Sequence, residues 1–230
     1  MSLINFDGVT YKFNTGVEAI KQVSFSIDEG EFVFLVGPSG AGKTTLMRLM
    51  LRELLPTEGK IILDNEEISR KRGISVSKLR QKIGASFQDV KLLLDRTVAE
   101  NIALAMEIAG KKNSEIKEAV TAVLDLVGLG DKGDVFPVQL SGGERQRAGI
   151  ARAVVGDPIV IFADEPTANL DEETAWKIAA LLKEINRSGK AVIVATHNAD
   201  LVDSMGARVI YLDQGGIIED KKKGTYHRKK

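Results

Sequence analysis

Apolar residues fall into two kinds of pattern along this chain. Three short runs, Phe32–Val36, Ile159–Ala163 and Ala191–Ala195, are apolar at every position and rich in Val, Ile and Phe. A strand with one wet face would alternate, so these runs predict strands buried on both faces, as in a parallel sheet covered by helices. Other segments repeat apolar residues at helical spacing. In Asn113–Val127, the residues Ile116, Val120, Val123, Leu124 and Val127 form one stripe; Asn113 or Ser114 can cap it and Gly128 ends it. In Thr174–Ser188, Ala175, Ile178, Ala179, Leu182 and Ile185 do the same, with Gly189 as the stop. Both stripes read as core faces, and the stretch from about residue 97 to 155 is helical in pattern. Leu3–Phe6, Val9–Phe13 and Val23–Ile27 have period-two character instead and predict a small, largely antiparallel sheet that Lys60–Leu63 can join. No internal repeat, long linker or coiled-coil insertion is visible. The pattern predicts an α/β chain: one domain over residues 1–220, a helical subdomain at about 89–157 and a tail at 221–230.

Each buried run ends in residues that carry chemistry: Gly37, Asp164-Glu165 and Thr196-His197. Ligands of open α/β sheets bind beyond the carboxyl ends of the strands, so three such ends predict one site. After the first run, Gly37-Pro38-Ser39-Gly40-Ala41-Gly42-Lys43-Thr44 satisfies G-x-x-x-x-G-K-[ST] at every fixed position. A helical segment, Thr45–Leu51, follows, so strand, Gly-rich loop and helix stand in the order a phosphate-binding loop needs. The glycines let backbone N–H groups turn toward an anion, and the helix N-terminus adds partial positive charge. Lys43 can reach outer phosphates, and the Thr44 hydroxyl can bind Mg²⁺.

The second run leaves two adjacent carboxylates beside a packed strand, which is costly unless they face something positive. A metal ion and an attacking water meet that need: Asp164 suits the metal, and Glu165 suits a base or water-orienting group. Leu140-Ser141-Gly142-Gly143-Glu144 opens a further helix, Arg145–Val155. Ser141 and Glu144 have the spacing of a capping box. Gly142 and Gly143 at the same helix start also expose backbone N–H groups, a second anion cradle.

Composition narrows the classes. The 230 residues carry 32 Lys+Arg and 32 Asp+Glu, so the net charge is zero and no global field favours nucleic acid. There is no cysteine, hence no disulfide, thiolate zinc site or iron–sulfur cluster. The first residues, Met1–Gly8, lack the basic and apolar regions of a secretory leader. No apolar run approaches the ~18 residues needed to span a bilayer, so a membrane role would come through a partner or the surface. After Asp220 the charge is one-sided: Lys221, Lys222, Lys223, Arg228, Lys229 and Lys230 stand without an acid. A solvated, disordered tail and attraction to an anionic membrane face both fit.

These motifs together resemble the ATP-binding cassette (ABC) ATPases over essentially the whole chain. Gly37–Thr44 is similar to the Walker A motif, Ile159–Asp164 to Walker B and Leu140–Glu144 to the LSGGE signature. Glu165 matches the catalytic glutamate, Gln88 the Q-loop glutamine, Ala168–Asp171 the D-loop, His197 the switch histidine and Tyr11 an aromatic that stacks on adenine. Asn169 departs from the D-loop pattern in following Ala168 where a Gly is expected. The resemblance implies a P-loop NTPase of the ABC ATPase fold, with a parallel-sheet core, an antiparallel β subdomain and an α-helical subdomain. It implies ATP and Mg²⁺ as cofactors. ATP would be held by Tyr11, Gly37, Pro38, Ser39, Gly40, Ala41, Gly42, Lys43, Thr44, Thr45, Gln88 and Asp164, and Mg²⁺ by Thr44, Gln88 and Asp164. Glu165, His197 and Lys43 would be catalytic. An ATP-dependent head-to-tail homodimer would bring Ser141 and Gly143 to the γ-phosphate held by the other subunit. Partners would be an integral membrane subunit and no nucleic acid, at the cytoplasmic face of a bacterial membrane. Phe87–Val98, Phe136–Glu144 and Gly149–Val155 are similar to the cassettes of bacterial cell division, with lipoprotein-release and macrolide-type exporters as the alternative. Repair cassettes carry a long coiled coil and translation cassettes a second copy, and this chain has neither. Val90, Leu92, Leu93 and Leu94, if exposed together, would form an apolar cleft for the membrane subunit.

Overall fold

The structure is a computed structural model and describes residues 2–70 and 75–226. In chain order the elements are β1 (Ser2–Lys12), β2 (Glu18–Asp28), β3 (Phe32–Val36), α1 (Lys43–Met50), β4 (Glu58–Leu63), β5 (Glu66–Glu67), α2 (Val76–Gln81), β6 (Ile83–Ser86), α3 (Val98–Ile108) and α4 (Asn113–Leu126). There follow α5 (Gly142–Val154), β7 (Val160–Asp164), α6 (Glu172–Arg187), β8 (Ala191–Thr196), α7 (Ala199–Met205), β9 (Arg208–Asp213) and β10 (Gly216–Lys221).

Two sheets form. β2-β1-β4-β5 is antiparallel; β10-β9-β3-β8-β7-β6 is parallel except for its edge strand β10. Alternate residues of the parallel strands point into different cores. Val33, Leu35, Phe162 and Ile193 pack with α1 against the antiparallel sheet, whereas Phe34, Val36, Ile161 and Val194 pack beneath α3 to α6. Both faces are therefore dry, as the unbroken apolar runs require, and polar groups are left to the strand ends. In the tight turn between β4 and β5, Asp64 (φ 50°) and Asn65 (φ 61°) take the left-handed conformation that a two-residue hairpin needs.

Several expectations are corrected. Leu3–Phe6 and Val9–Lys12 belong to one strand, β1, whose pairing with β2 shifts register between Phe6 and Val9; Phe13 lies just past its end. Helix α4 takes Lys112, not Asn113 or Ser114, as its cap residue; the Glu115 carboxylate closes that end by accepting from the Lys112 N–H at 3.0 Å. Residues 222–226 are not a loose tail. The buried Gly224 donates its N–H to the Ala207 carbonyl, and the Tyr226 ring lies 6.0 Å from that of Tyr211. Arg228, Lys229 and Lys230 lie outside the described residues.

The segment after Gln88 is shaped by one buried side chain. Asn101, fully buried in α3, accepts from the Leu93 N–H at 2.7 Å and donates to the carbonyls of Leu93, Arg96 and Thr97. Thr97 and Glu100 add a capping box at the start of the same helix. Asn101→Leu would keep the volume and remove the side-chain partner of the Leu93 N–H and of the Arg96 carbonyl, while the Thr97 and Leu93 carbonyls keep backbone donors. Urea denaturation should show a loss of about 2–4 kcal/mol. Thr97→Ala should cost about 1 kcal/mol.

Candidate active site

The loaded strand ends meet in one cleft of about 770 Å³. Its lining includes Ser39, Gly40, Ala41, Gly42, Lys43, Thr44, Thr45, Gln88, Asp164, Glu165 and His197. Residues 120 and more apart in the chain thus share a wall because β3, β7 and β8 lie side by side and end together.

The loop between β3 and α1 admits no side chain at two positions. A Cβ on Gly37 (φ 146°) would stand 2.1 Å from the Leu212 carbonyl oxygen, and one on Gly42 (φ 111°) 2.7 Å from Ile20 Cδ1. Gly42 caps α1 without a side-chain acceptor, so the first N–H groups of the helix have no side-chain cap. Gly37 and Pro38 do not line the cleft; they bind its lysine. Lys43 Nζ donates to the carbonyls of Gly37 at 2.8 Å and Pro38 at 3.3 Å. Burial pushes the Lys43 ammonium below its ordinary range, against the nearby charges of Glu165 and Asp164.

Thr44 Oγ1 donates to Asp164 Oδ2 at 2.7 Å, joining the loop to the end of β7. Burial pushes the Asp164 carboxyl above the usual range, and the Glu165 charge adds to that; the Thr44 hydrogen bond and the Lys43 charge work the other way. Glu165 is held in the left-handed region (φ 49°), an uncommon and costly conformation for this residue type. Its N–H continues the ladder by donating to the Ala195 carbonyl at 2.8 Å. One carboxylate oxygen lies 3.9 Å from Lys43 Nζ; the other is 2.9 Å from His197 Nδ1 and accepts from the His197 N–H at 3.4 Å. The histidine ring itself is 67% exposed at the mouth of the cleft. Together these contacts hold an acid, a base and an ammonium at one helix N-terminus, an arrangement suited to binding a polyanion and activating water beside it.

Besides Gly37 and Pro38, three named residues lie off the cleft wall, two of which, Ser141 and Gly143, are expected to act only on the nucleotide of a second subunit. Tyr11 does not line the cleft. It packs with its ring edge-on to Phe13, centroids 5.0 Å apart, and Phe13 is the aromatic at the cleft wall. Ser141 and Gly143 also lie outside it, at the start of α5. The capping box there is real: Ser141 Oγ accepts from the Glu144 N–H at 3.3 Å, and Glu144 Oε2 accepts from the Ser141 N–H at 2.8 Å. Gly143 has a packing reason as well, since a Cβ there would stand 2.4 Å from Thr174 Cγ2. Asp171 caps α6 by accepting from the Thr174 N–H at 2.9 Å. Phe13, Lys21 and Gln214 line the cleft without any sequence signal, because only the fold brings β1, β2 and the β9–β10 turn to this end.

The segment after Gln88 is tied to α5. Arg152 donates to the carbonyls of Val90 at 2.7 Å and Lys91 at 2.9 Å. Leu92 is buried, whereas Leu93 and Leu94 are 39% and 63% exposed, so the expected apolar cleft reduces to two leucines. Arg152 also lines, with Met106, Ile108 and Ala85, a separate groove of about 600 Å³ that includes neither leucine.

Comparison with known proteins agrees with this geometry. A family model described as ABC transporter matches residues 20–168. The chain is 45% identical over 224 residues to the cell division ATP-binding protein FtsE of Bacillus subtilis, covering 97% of this chain and 98% of that one. It is 46% identical over 225 residues to FtsE of Mycobacterium tuberculosis, with the same coverage. FtsE of Escherichia coli is 45% identical over 215 residues, 94% of this chain and 97% of that one. Among solved structures, the dimeric post-hydrolysis state of the cassette MJ0796 bound to ADP and Pi superposes with a TM-score of 0.87. It is 34% identical and covers 97% of this chain and 100% of that one. CbiO1 of Clostridium perfringens, part of an ABC transporter complex, superposes with a TM-score of 0.88 at 30% identity, over 96% of this chain and 89% of that one. With the family model spanning most of the chain and these relatives running nearly its full length, the chain belongs to the ABC transporter ATP-binding family and is an ATPase.

Proposed function

We propose that this chain is the ATPase subunit of a bacterial cell-division complex and works at the cytoplasmic face of the membrane through an integral subunit resembling FtsX. The near full-length identity to FtsE proteins supports the division role. Glu165, bridging Lys43 and His197 beside the uncapped start of α1, is the observation that carries the chemistry. No helix of the described residues is long and apolar enough to cross a membrane, so force would pass to a partner. That partner would in turn control cell-wall hydrolases.

ATP would lie with its phosphates over residues 37–45 and its base toward Tyr11 and Phe13. Among the described residues no cluster of three His, Cys, Asp or Glu could hold a metal. The donors present, the Thr44 hydroxyl, the Asp164 carboxylate and the Gln88 amide, suit a Mg²⁺ that completes its shell with phosphate and water oxygens. Bound there, the ion would neutralise phosphate charge. Glu165 would hold the attacking water and take its proton, and His197 would fix the Glu165 carboxylate. Lys43 would exchange the Gly37 and Pro38 carbonyls for phosphate oxygens. Ser141 and Gly143, remote from the cleft of their own chain, would face the γ-phosphate of a second subunit. The portion at about 89–157 would move against the rest, and Arg152 would carry displacement of the Gln88 segment to α5. Leu93 and Leu94 would receive the membrane subunit.

Glu165→Gln keeps the shape and removes the charge. Turnover should fall by about a hundredfold or more, with ATP still bound. Turnover close to the parent rate would remove Glu165 from its assigned role. Lys43→Ala should weaken nucleotide binding itself, measured with a fluorescent analogue.

Asp164 carries a separable stability effect. A carboxyl raised by burial is ionised at a cost in the fold, so stability is lost as pH rises through its raised pKa, and the cost is present at neutral pH. Asp164→Asn should therefore raise the melting temperature of the nucleotide-free protein by about 2–4 °C while abolishing Mg²⁺-dependent turnover.

Leu94→Asp should abolish pull-down of the membrane subunit while ATP binding persists. Retained pull-down would move the interface elsewhere, and identification of the co-purified subunit separates the division reading from an exporter.

A further inference from the structure

The carboxylate in the first turn of α5 presents an electrostatic difficulty. A helix N-terminus attracts an anion through its partial positive charge. Glu144 sits in that same turn, and its charge opposes any phosphate brought there. Its contacts show how the opposition is met. Glu144 Oε2 accepts from the Ser141 N–H at 2.8 Å, and its other oxygen is held by the Lys132 ammonium. Both oxygens of the carboxylate are thus engaged within the protein. The pair holds Glu144 well below the usual carboxylate range, at about 2, so it stays ionised at every working pH.

Lys132 is anchored for this task. It ends the 3-10 turn Gly130–Lys132, which connects α4 to α5, and its N–H donates to the Leu129 carbonyl at 2.9 Å. Leu129 is fully buried, so the turn is fixed in the core while the lysine side chain reaches across to α5. The side chains of Lys132 and Glu144 are 34% and 19% exposed, shielded more than an ordinary surface pair. Neither residue lines the nucleotide cleft of its own chain.

We infer that Lys132 is a positioning residue of the composite ATP site: by neutralising Glu144 and holding it in the capping box, it lets the start of α5 accept the γ-phosphate bound to a second copy of the chain. This rests on the reading that Ser141 and Gly143 act across a subunit interface. The lysine touches no phosphate itself. Its loss would act through Glu144, and removing the Glu144 charge would remove the need for it.

The test uses the full chain with Glu165→Gln to trap the ATP-bound dimer, followed by sedimentation with ATP. Lys132→Met should weaken ATP-dependent dimerisation by about tenfold, and Lys132→Arg should stay within about twofold of the parent. Lys132→Met combined with Glu144→Gln should recover most of the loss, because glutamine can still accept the capping hydrogen bond without the charge. With Glu165 intact, turnover per chain in Lys132→Met should be low in dilute protein and rise toward the parent value as the concentration increases. A variant that was merely misfolded would stay low throughout. Unchanged dimerisation in Lys132→Met, or no recovery with Glu144→Gln, would overturn the inference. Ser141→Arg in the same background separates the two levels: if it dimerises like the parent, the composite-site reading fails and this inference falls with it.

Discussion

Charge confined to the ends of a sheet that is dry on both faces is the constraint on which this molecule depends. The six-stranded sheet buries alternate residues in two different cores, so polar chemistry has nowhere to go but the strand termini. Lys43, Asp164 and Glu165 gather there, all largely buried. An isolated charge in such a place is unfavourable, and each is met by a fixed partner: backbone carbonyls for Lys43, the Thr44 hydroxyl for Asp164, His197 for Glu165. The pairing is incomplete by design of the geometry. Lys43 and Glu165 stand 3.9 Å apart, too far for a tight hydrogen-bonded ion pair. A polyanion entering the cleft would therefore have to displace the Gly37 and Pro38 carbonyls from the ammonium, but no tight ion pair to Glu165.

Helix α5 is the second centre of the fold. Its first turn is closed by Ser141, Glu144 and Lys132, and Arg145 donates to the Leu140 carbonyl at 2.8 Å. Its last turn grips the segment after Gln88 through Arg152. One helix thus holds the segment that runs from Gln88 at the cleft wall to the exposed leucines. A packed helix transmits displacement because its interior resists compression. The four hydrogen bonds of Asn101 hold the short connection in one shape, with Lys91 in the left-handed region (φ 49°).

Much of this was legible before any coordinates. Unbroken apolar runs marked β3, β7 and β8 because burial on both faces leaves a direct trace in composition. The phosphate loop, Asp164, Glu165, His197 and the Ser141–Glu144 cap were visible because each needs a particular residue type at fixed spacing. What escaped detection lacked such a trace. Strand β6 reads Ile-Gly-Ala-Ser, with small residues that carry no apolar signal. Asn101 looked like any polar residue in a helix, since nothing local reveals that its four partners come from the loop before it. Lys132 was one of 32 basic residues, and its partner lies twelve positions away across a turn. Phe13 rather than Tyr11 lines the cleft wall because Phe13 lies past the end of β1, in the turn toward β2, and no residue type marks that position in the sequence.

The two helix starts show how the same local device serves different ends. Both α1 and α5 present N–H groups, yet they are finished differently. At α1 the cap is glycine, the turn carries no acid, and a lysine stands in it. At α5 the cap is closed by a serine and a glutamate, and the balancing lysine comes from another turn. The first is open to an anion from the outset. The second pairs the Ser141 and Glu144 N–H groups within its own cap while alone. The cap does not engage the Gly142 and Gly143 N–H groups, so an incoming phosphate need not displace it, and Lys132 favours the approach by cancelling the Glu144 charge that would repel it. The asymmetry fits a site that binds nucleotide first on one face and completes it second on the other.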